Sequence, residues 1–342
     1  MSVATDYRIR PMELGWVFER VQDTMVPRLR SAVDQLPASI RDVVGYHFGW
    51  CDELGRPAHG RSGKLIRPAL TLLSARAVGA SEERAVDAAV AVELVHNFSL
   101  LHDDVMDGAL TRRHRQTVWW QFGMPTAILA GDALLALALE VLAPVPGSVH
   151  TLCEAVRELV YGQSLDISFE QRDDVTLEES LAMSGGKTAT LLRCACELGA
   201  VHGGGAPAQV LALKRFGWHL GVAFQLVDDL LGIWGDPEMT GKPTLADLRA
   251  GKKTVPVVAA LAAGGGHSRR LAALYLRPDP LDEDELATVA ELVEQAGGRA
   301  WAQLEADRQV RAALSCLTAA DPIPAVYQAL VDLAALVTRR DG

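Results

Sequence analysis

Apolar side chains recur at three- and four-residue spacing along most of the chain, the period of an α-helix that buries one face. The run 85–101, AVDAAVAVELVHNFSLL, is apolar on most sides, which predicts a helix enclosed by other helices. Segments 126–141, 187–198, 208–231 and 286–296 read as further helices. No run shows sustained two-residue alternation with β-branched residues, so a sheet is not expected. Breaks fall at 144–147, at the Gly185/Gly186 pair, at 203–207, at 264–266 and at the Pro278/Pro280 pair. None is long or polar enough to link domains, and there is no repeat of fixed period. The expectation is one all-α domain over residues 1–342, a single large antiparallel helical bundle.

Composition supports this reading and removes several function classes. Hydrophobic residues make up 49% and charged residues 22%, which argues against disorder. Abundant alanine and leucine, with aromatics at only 6%, favour helices over strands. A formal net charge of −10 counts against nucleic acid as a partner, because phosphate backbones need a basic face. The most apolar stretch, 126–144, carries Asp132 and Glu140 and is expected to be a buried helix rather than a membrane span. Residues 1–15 lack the apolar core of a signal peptide, which points to the cytoplasm. The five cysteines are expected to be buried thiols; Cys194 and Cys196 are too close together for a zinc clamp.

Two aspartate clusters are the strongest chemical signal. His102-Asp103-Asp104-Val105-Met106-Asp107 ends the apolar helix, and Asp103 and Asp107 lie one turn apart on one face. Acids sit poorly against the negative end of a helix and repel one another unless a cation relieves them. Carboxylates at this spacing suit magnesium that bridges to substrate phosphates. The second cluster, Phe224-Gln225-Leu226-Val227-Asp228-Asp229, also ends an apolar helical run. Its position four residues after Asp228 is Gly232, and Asp236 follows in a Gly-Asp-Pro turn. Basic residues complete the pattern: Lys64 and Arg67, Arg112 and Arg113, Lys187, Lys242 and Lys252. Each alone reads as a surface cation; together they are what two diphosphate groups require. Gly185-Gly186-Lys187-Thr188 is not a P-loop, since position 181 is leucine and no strand precedes it.

In order, GKLIRP, HNFSLLHDDVMD, RR, AILAGD, YGQSLD, GGKT, FQLVDD, GDPEMTGK and GKKTVP span 63–256, more than half the chain. This set resembles the trans-isoprenyl diphosphate synthases (the polyprenyl synthetase family). The resemblance implies a helical bundle around a deep central cavity, usually a homodimer. It implies that Asp103, Asp104, Asp107, Asp228 and Asp229 hold about three Mg²⁺ ions on an allylic diphosphate. Arg112, Lys187, Lys242 and Lys252 would contact that same diphosphate, while Lys64, Arg67, His96 and Arg113 hold the diphosphate of isopentenyl diphosphate. Thr188 and Gln225 would line the reacting centre, and His102 reads as an orienting or packing residue.

The chain departs from the family pattern at Ser62, Leu65, His114 and above all Gly232, where a third aspartate is usual. The missing metal contact is either absent or supplied by Asp236 or water. Product length is expected to depend on Phe98 and Ser99, five and four residues before Asp103; Phe98 lies about 7.5 Å down the helix axis. The uninterrupted first motif with this aromatic points to a C20 product, geranylgeranyl diphosphate, with the C15 farnesyl product as the rival. A class I terpene cyclase would need no isopentenyl site and would carry N-D-x-x-S-x-x-x-E, which is missing here. A non-catalytic subunit of a heteromeric synthase is the other alternative, encouraged by Gly232 and opposed by both retained aspartate clusters.

Overall fold

The computed structural model describes residues 14–58, 63–236, 244–277 and 279–338. Among these the chain is almost entirely helical. The first half contains α1 (Leu14–Val33), α2 (Ala38–His47), α3 (Ile66–Ala77), α4 (Val86–Met106), α5 (Val118–Phe122), α6 (Met124–Leu142) and α7 (Pro146–Phe169). The second contains α8 (Leu177–Ser184), α9 (Thr190–His202), α10 (Pro207–Trp234), α11 (Ala246–Arg249), α12 (Val255–Ala262), α13 (Gly265–Tyr275), α14 (Glu283–Gln295), α15 (Gly298–Ala319) and α16 (Pro324–Thr338). Local chemistry sets several starts: capping boxes at Thr176/Glu179 and Asp282/Glu285 open α8 and α14, and prolines sit in the first turns of α7 and α10.

Helix α4 runs through the middle, as its all-round apolar sequence requires: Ala88, Ala91, Val92, Leu94 and Val95 are fully buried between α3, α6 and α9. Further along, α10 lies against α9 and α15. A second, smaller apolar cluster joins Ile233 and Leu248 to Val257, Leu271, Leu286 and Val289 near the C-terminal half. The tightest helix contacts run over glycine. A Cβ on Gly199 of α9 would lie 2.1 Å from the Thr71 carbonyl oxygen of α3, and one on Gly217 of α10 would lie 2.5 Å from the Leu192 carbonyl oxygen. These approaches bring backbones together at a distance that no other residue permits.

The structure corrects two expectations. A sheet was not expected, yet Thr111–Arg112 and Arg115–Gln116 pair as an antiparallel hairpin, Thr111 opposite Gln116. Two residues per strand are too few to show alternation. The Gly185/Gly186 pair does not break the chain: Gly185–Ala189 forms a π-helical turn that joins α8 to α9. The apolar stretch is α6, which packs along α4 but leaves Met124, Ile128 and Leu129 exposed. Among the described residues it is the one helix long and apolar enough to cross a membrane. All five cysteines are free thiols, Cys194 and Cys196 buried.

The Gly199 contact is made by backbone and cannot yield as a flexible side chain would. Gly199→Ala should lower the unfolding free energy by about 1–3 kcal/mol, read from the urea midpoint at unchanged m-value.

Candidate active site

The C-terminal turn of α4 carries the first aspartate cluster into a basic surround. Asp104 is 2% exposed; its Oδ1 accepts from Arg112 Nε at 2.8 Å, while its buried Oδ2 has no partner. Burial pushes Asp103 up to about 6; Lys187 opposes this rise and Asp107 adds to it. Arg112 is presented by the hairpin, whose turn residues Arg113 and His114 both have positive φ, 52° and 62°. That is the backbone of a tight primed turn, usually made with Gly or Asn, so two larger residues are held there against local preference. Arg115 fixes the hairpin to the rest of the fold by donating to the Tyr46 and Cys51 carbonyls at 3.0 and 2.9 Å.

The π-helical turn supplies the opposite wall. Glycines let it approach α7: a Cβ on Gly162 would lie 2.4 Å from the Lys187 backbone nitrogen, and one on Gly186 would lie 2.9 Å from the Glu158 oxygen. An extra residue in a helical turn redirects side chains, a device found often at functional sites. Here Lys187 Nζ reaches Asp166 Oδ2 at 2.6 Å and the Thr188 hydroxyl donates to Gln225 Oε1. Gln225 Nε2 in turn donates to Asp229 Oδ1 at 2.7 Å, and the Val255 N–H donates to Asp229 Oδ2 at 3.2 Å. Asp229 Oδ2 therefore ties α10 to α12, while Oδ1 bonds within α10. Asp229 is 4% exposed, and burial pushes its pKa up to about 8. Asp228, beside it, is half-buried. Lys252 Nζ lies 3.6 Å from Asp107 Oδ2. Burial works against the Lys252 charge, but Asp107, Asp166, Asp247 and Asp103 together raise its pKa, so this one ammonium feels both sides of the site.

A second basic group lies around the N-terminus of α3. Arg67 Nη1 donates to His96 Nε2 at 3.1 Å, and the Arg113 guanidinium lies against Gly63, where a Cβ would be 2.8 Å from Nη2. Exposed Lys64 follows Gly63 directly. As an acceptor toward Arg67, His96 is the neutral imidazole, and burial with Arg67 and Arg113 nearby holds its pKa well below the usual value. Sequence reasoning missed the layer beneath. Asn97 Nδ2 donates to Glu93 Oε1 at 3.0 Å, and Asn97 Oδ1 accepts from His47 Nε2 at 3.1 Å. Glu93 is 2% exposed, and burial pushes it up to about 7 against the pull of Arg67. An acid midway along the apolar run of α4 was the available signal. Other missed residues are Asp166 and Asp247.

The structure thus gathers Asp103, Asp104, Asp107, Arg112, Lys187, Thr188, Gln225, Asp229 and Lys252 into one neighbourhood, and Lys64, Arg67, His96 and Arg113 into another. Lys242 and Ser62 lie outside the described residues. His102 packs edge-on against Phe98 at 4.9 Å and its Nε2 lies 3.1 Å from the Ile128 carbonyl oxygen, which fits the orienting role. The donor set suits Mg²⁺: hard carboxylate oxygens, including the unpartnered buried Oδ2 of Asp104. Among the described residues no three His, Cys, Asp or Glu side chains converge on one point, so substrate phosphates would have to complete each ion's shell.

Glu93 sets a pH dependence of stability. Its folded pKa of about 7 exceeds the ordinary 4.5, so between these values the folded chain keeps a proton that the unfolded chain has lost. The stabilisation is present below the lower value and lost as pH rises through the upper one. The melting temperature of the wild type minus that of Glu93→Gln should therefore shrink between about pH 5 and about pH 8.

The polyprenyl synthetase family model matches residues 49–293. The chain is 51% identical over 296 residues to the (2E,6E)-farnesyl diphosphate synthase of Mycobacterium tuberculosis strain H37Rv, covering 84% of this chain and 82% of that protein. It is 42% identical over 342 residues to the geranylgeranyl diphosphate synthase of the same strain, covering 97% and 95%. The crystal structure of a polyprenyl synthetase from Streptomyces coelicolor A3(2) superposes with a TM-score of 0.90 at 50% identity, covering 95% of this chain and 99% of that one. With the aspartate clusters, the π-turn lysine and the two basic groups in place, the chain belongs to the polyprenyl synthetase family and is a prenyltransferase that makes short-chain prenyl diphosphates.

Proposed function

We propose that the protein joins isopentenyl diphosphate head-to-tail to an allylic diphosphate, releasing diphosphate and an all-trans product of C20 length. One observation carries the two-site reading: among the described residues the cations fall into two groups, one in direct ion pairs with aspartates and one with no ion pair, on which Glu93 and Asp104 act only through their field. The first suits a diphosphate that arrives with metal, the second a bare diphosphate.

In this reading Asp103, Asp104, Asp107, Asp228 and Asp229 would hold Mg²⁺, with Arg112 orienting Asp104 and Gln225 orienting Asp229. The metal supplies Lewis-acid charge to the departing diphosphate. Arg112, Lys187 and Lys252 add positive charge beside the same group, with Lys242 assigned there by the family resemblance. Lys64, Arg67, His96 and Arg113 orient isopentenyl diphosphate so that its double bond faces the allylic carbon. As the allylic C–O bond breaks, the double bond attacks; a new C–C bond forms, and a proton passes to the released diphosphate. Apolar walls such as those of α4 keep water from the cation. The whole chain serves as one catalytic domain acting in the cytoplasm, without nucleic acid. The uncovered apolar side of α6, at Met124, Ile128 and Leu129, is where a second copy completes a homodimer.

Small Ser99, one turn before Asp103 on the same face of α4, supports the C20 product, with Phe98 about 7.5 Å below Asp103 along the helix axis as the floor. A C15 product is the second reading, favoured by the 51% identity to a farnesyl diphosphate synthase. The test incubates purified protein with Mg²⁺, labelled isopentenyl diphosphate and C5, C10 or C15 allylic diphosphates, then sizes the dephosphorylated alcohols. C20 alcohol is expected, vanishing with EDTA or Asp103→Ala. A product that stops at C15 would decide for the second reading. Hydrocarbon from an allylic diphosphate alone would indicate a cyclase, and turnover only with an added protein would indicate a subunit. Phe98→Ala should lengthen the main product; an unchanged distribution would refute Phe98 as the floor.

A further inference from the structure

Thr190, the first residue of α9, is fully buried. Its N–H donates to the Gly185 carbonyl five residues back, the bond that closes the π-helical turn. Its hydroxyl donates to Glu158 Oε2 on α7. A buried hydroxyl needs a partner, and Glu158 supplies it. The other oxygen, Glu158 Oε1, accepts from Arg193 Nη2 at 2.9 Å, and the Arg193 guanidinium lies 5.7 Å above the Trp218 ring of α10. That ring packs on Gly185, where a Cβ would be 2.8 Å from Cη2. One carboxylate therefore grips the residue that closes the turn and bears on the residue that opens it. Burial opposes the Glu158 charge, but Thr190 and Arg193 hold its pKa below the usual value, so the carboxylate is the form that accepts.

A π turn holds one residue more than the regular helix and needs a restraint to keep it from tightening. Released from Glu158, the Thr190 hydroxyl turns to the carbonyl one turn back, that of Gly186, and its N–H follows to the same carbonyl in the regular α pattern. A slip of one residue rotates side chains by about 100° around the axis. It takes Lys187 from Asp166 and Thr188 from Gln225. We propose that Glu158 is a positioning residue: by holding Thr190 it keeps the turn in its π form and so aims Lys187 and Thr188 at the reacting centre. The proposal rests on the prenyl-transfer reading for the roles of Lys187 and Thr188.

The test measures steady-state prenyl transfer by the full-length protein, with the melting temperature of each variant as the check on folding. Glu158→Ala and Thr190→Val should each lower kcat by about tenfold or more. KM for isopentenyl diphosphate should stay within about twofold, because Lys64, Arg67, His96 and Arg113 lie on other elements. Thr190→Ser keeps the hydroxyl and should remain within about threefold of wild type. Combined in one chain, Glu158→Ala and Thr190→Val should cost no more than Glu158→Ala alone, since both break one linkage. If Glu158→Ala does not fold, the contrast between Thr190→Val and Thr190→Ser carries the same test. Losses that multiply, a wild-type kcat in folded Glu158→Ala, or KM values for both substrates rising together as the melting temperature falls would overturn the proposal and leave the functional reading standing. A wild type without turnover would overturn that reading. The crystal structure of Glu158→Ala then decides the turn by itself: a Thr190 N–H bonded to Gly186 supports the proposal, and one still bonded to Gly185 overturns it.

Discussion

Charges taken out of water must be paired, and the end of α4 is where this chain meets that requirement in its most demanding form. Three aspartates leave an apolar helix at its electrically negative end, an arrangement that is unfavourable unless cations face it. The structure answers with Arg112 on Asp104, Lys252 beside Asp107 and the field of Lys187 on Asp103. Burial still pushes Asp103 up to about 6 against the pull of Lys187, and one buried oxygen of Asp104 has no partner. A site that is partly neutralised by fixed cations is poised to accept further positive charge together with the phosphates that carry it.

Holding these groups in place calls for unusual backbone. The π-helical turn aims Lys187 and Thr188 from adjacent positions, and it sits close to α7 because Gly162 and Gly186 present no side chains. The hairpin turn holds Arg113 and His114 at positive φ, and Arg115 ties the hairpin to the Tyr46 and Cys51 carbonyls. Strain of this kind persists where packing over-determines it, and it concentrates beside functional side chains. The buried Glu93–Asn97–His47 chain does the same work on the other basic group by fixing what lies beneath Arg67 and His96.

Much of this architecture was legible before any coordinates. Helical periodicity located α4, α6, α9, α10 and α14, because a buried face repeats at the pitch of the helix whatever it packs against. The aspartate clusters and nearby cations stood out because a run of like charge in an otherwise apolar context is costly and needs a cause. The hairpin did not stand out, since two-residue strands are shorter than any alternation. Nor did the π turn, because Gly-Gly reads locally as a break and only its packing on α7 shows that the helix continues.

By itself, then, the sequence determined the helices, the apolar interior and the residue types of the site, all of which follow from short-range spacing and the cost of burying charge. Tertiary structure alone decided the partnerships. Asp229 accepts from Gln225 and the Val255 N–H, Asp166 engages Lys187, and Asp247 fills the space left by Gly232 from fifteen positions onward in the chain. Such pairings depend on which side chains of different helices are brought within a few ångströms. The spacing along any single helix carries no record of that distance.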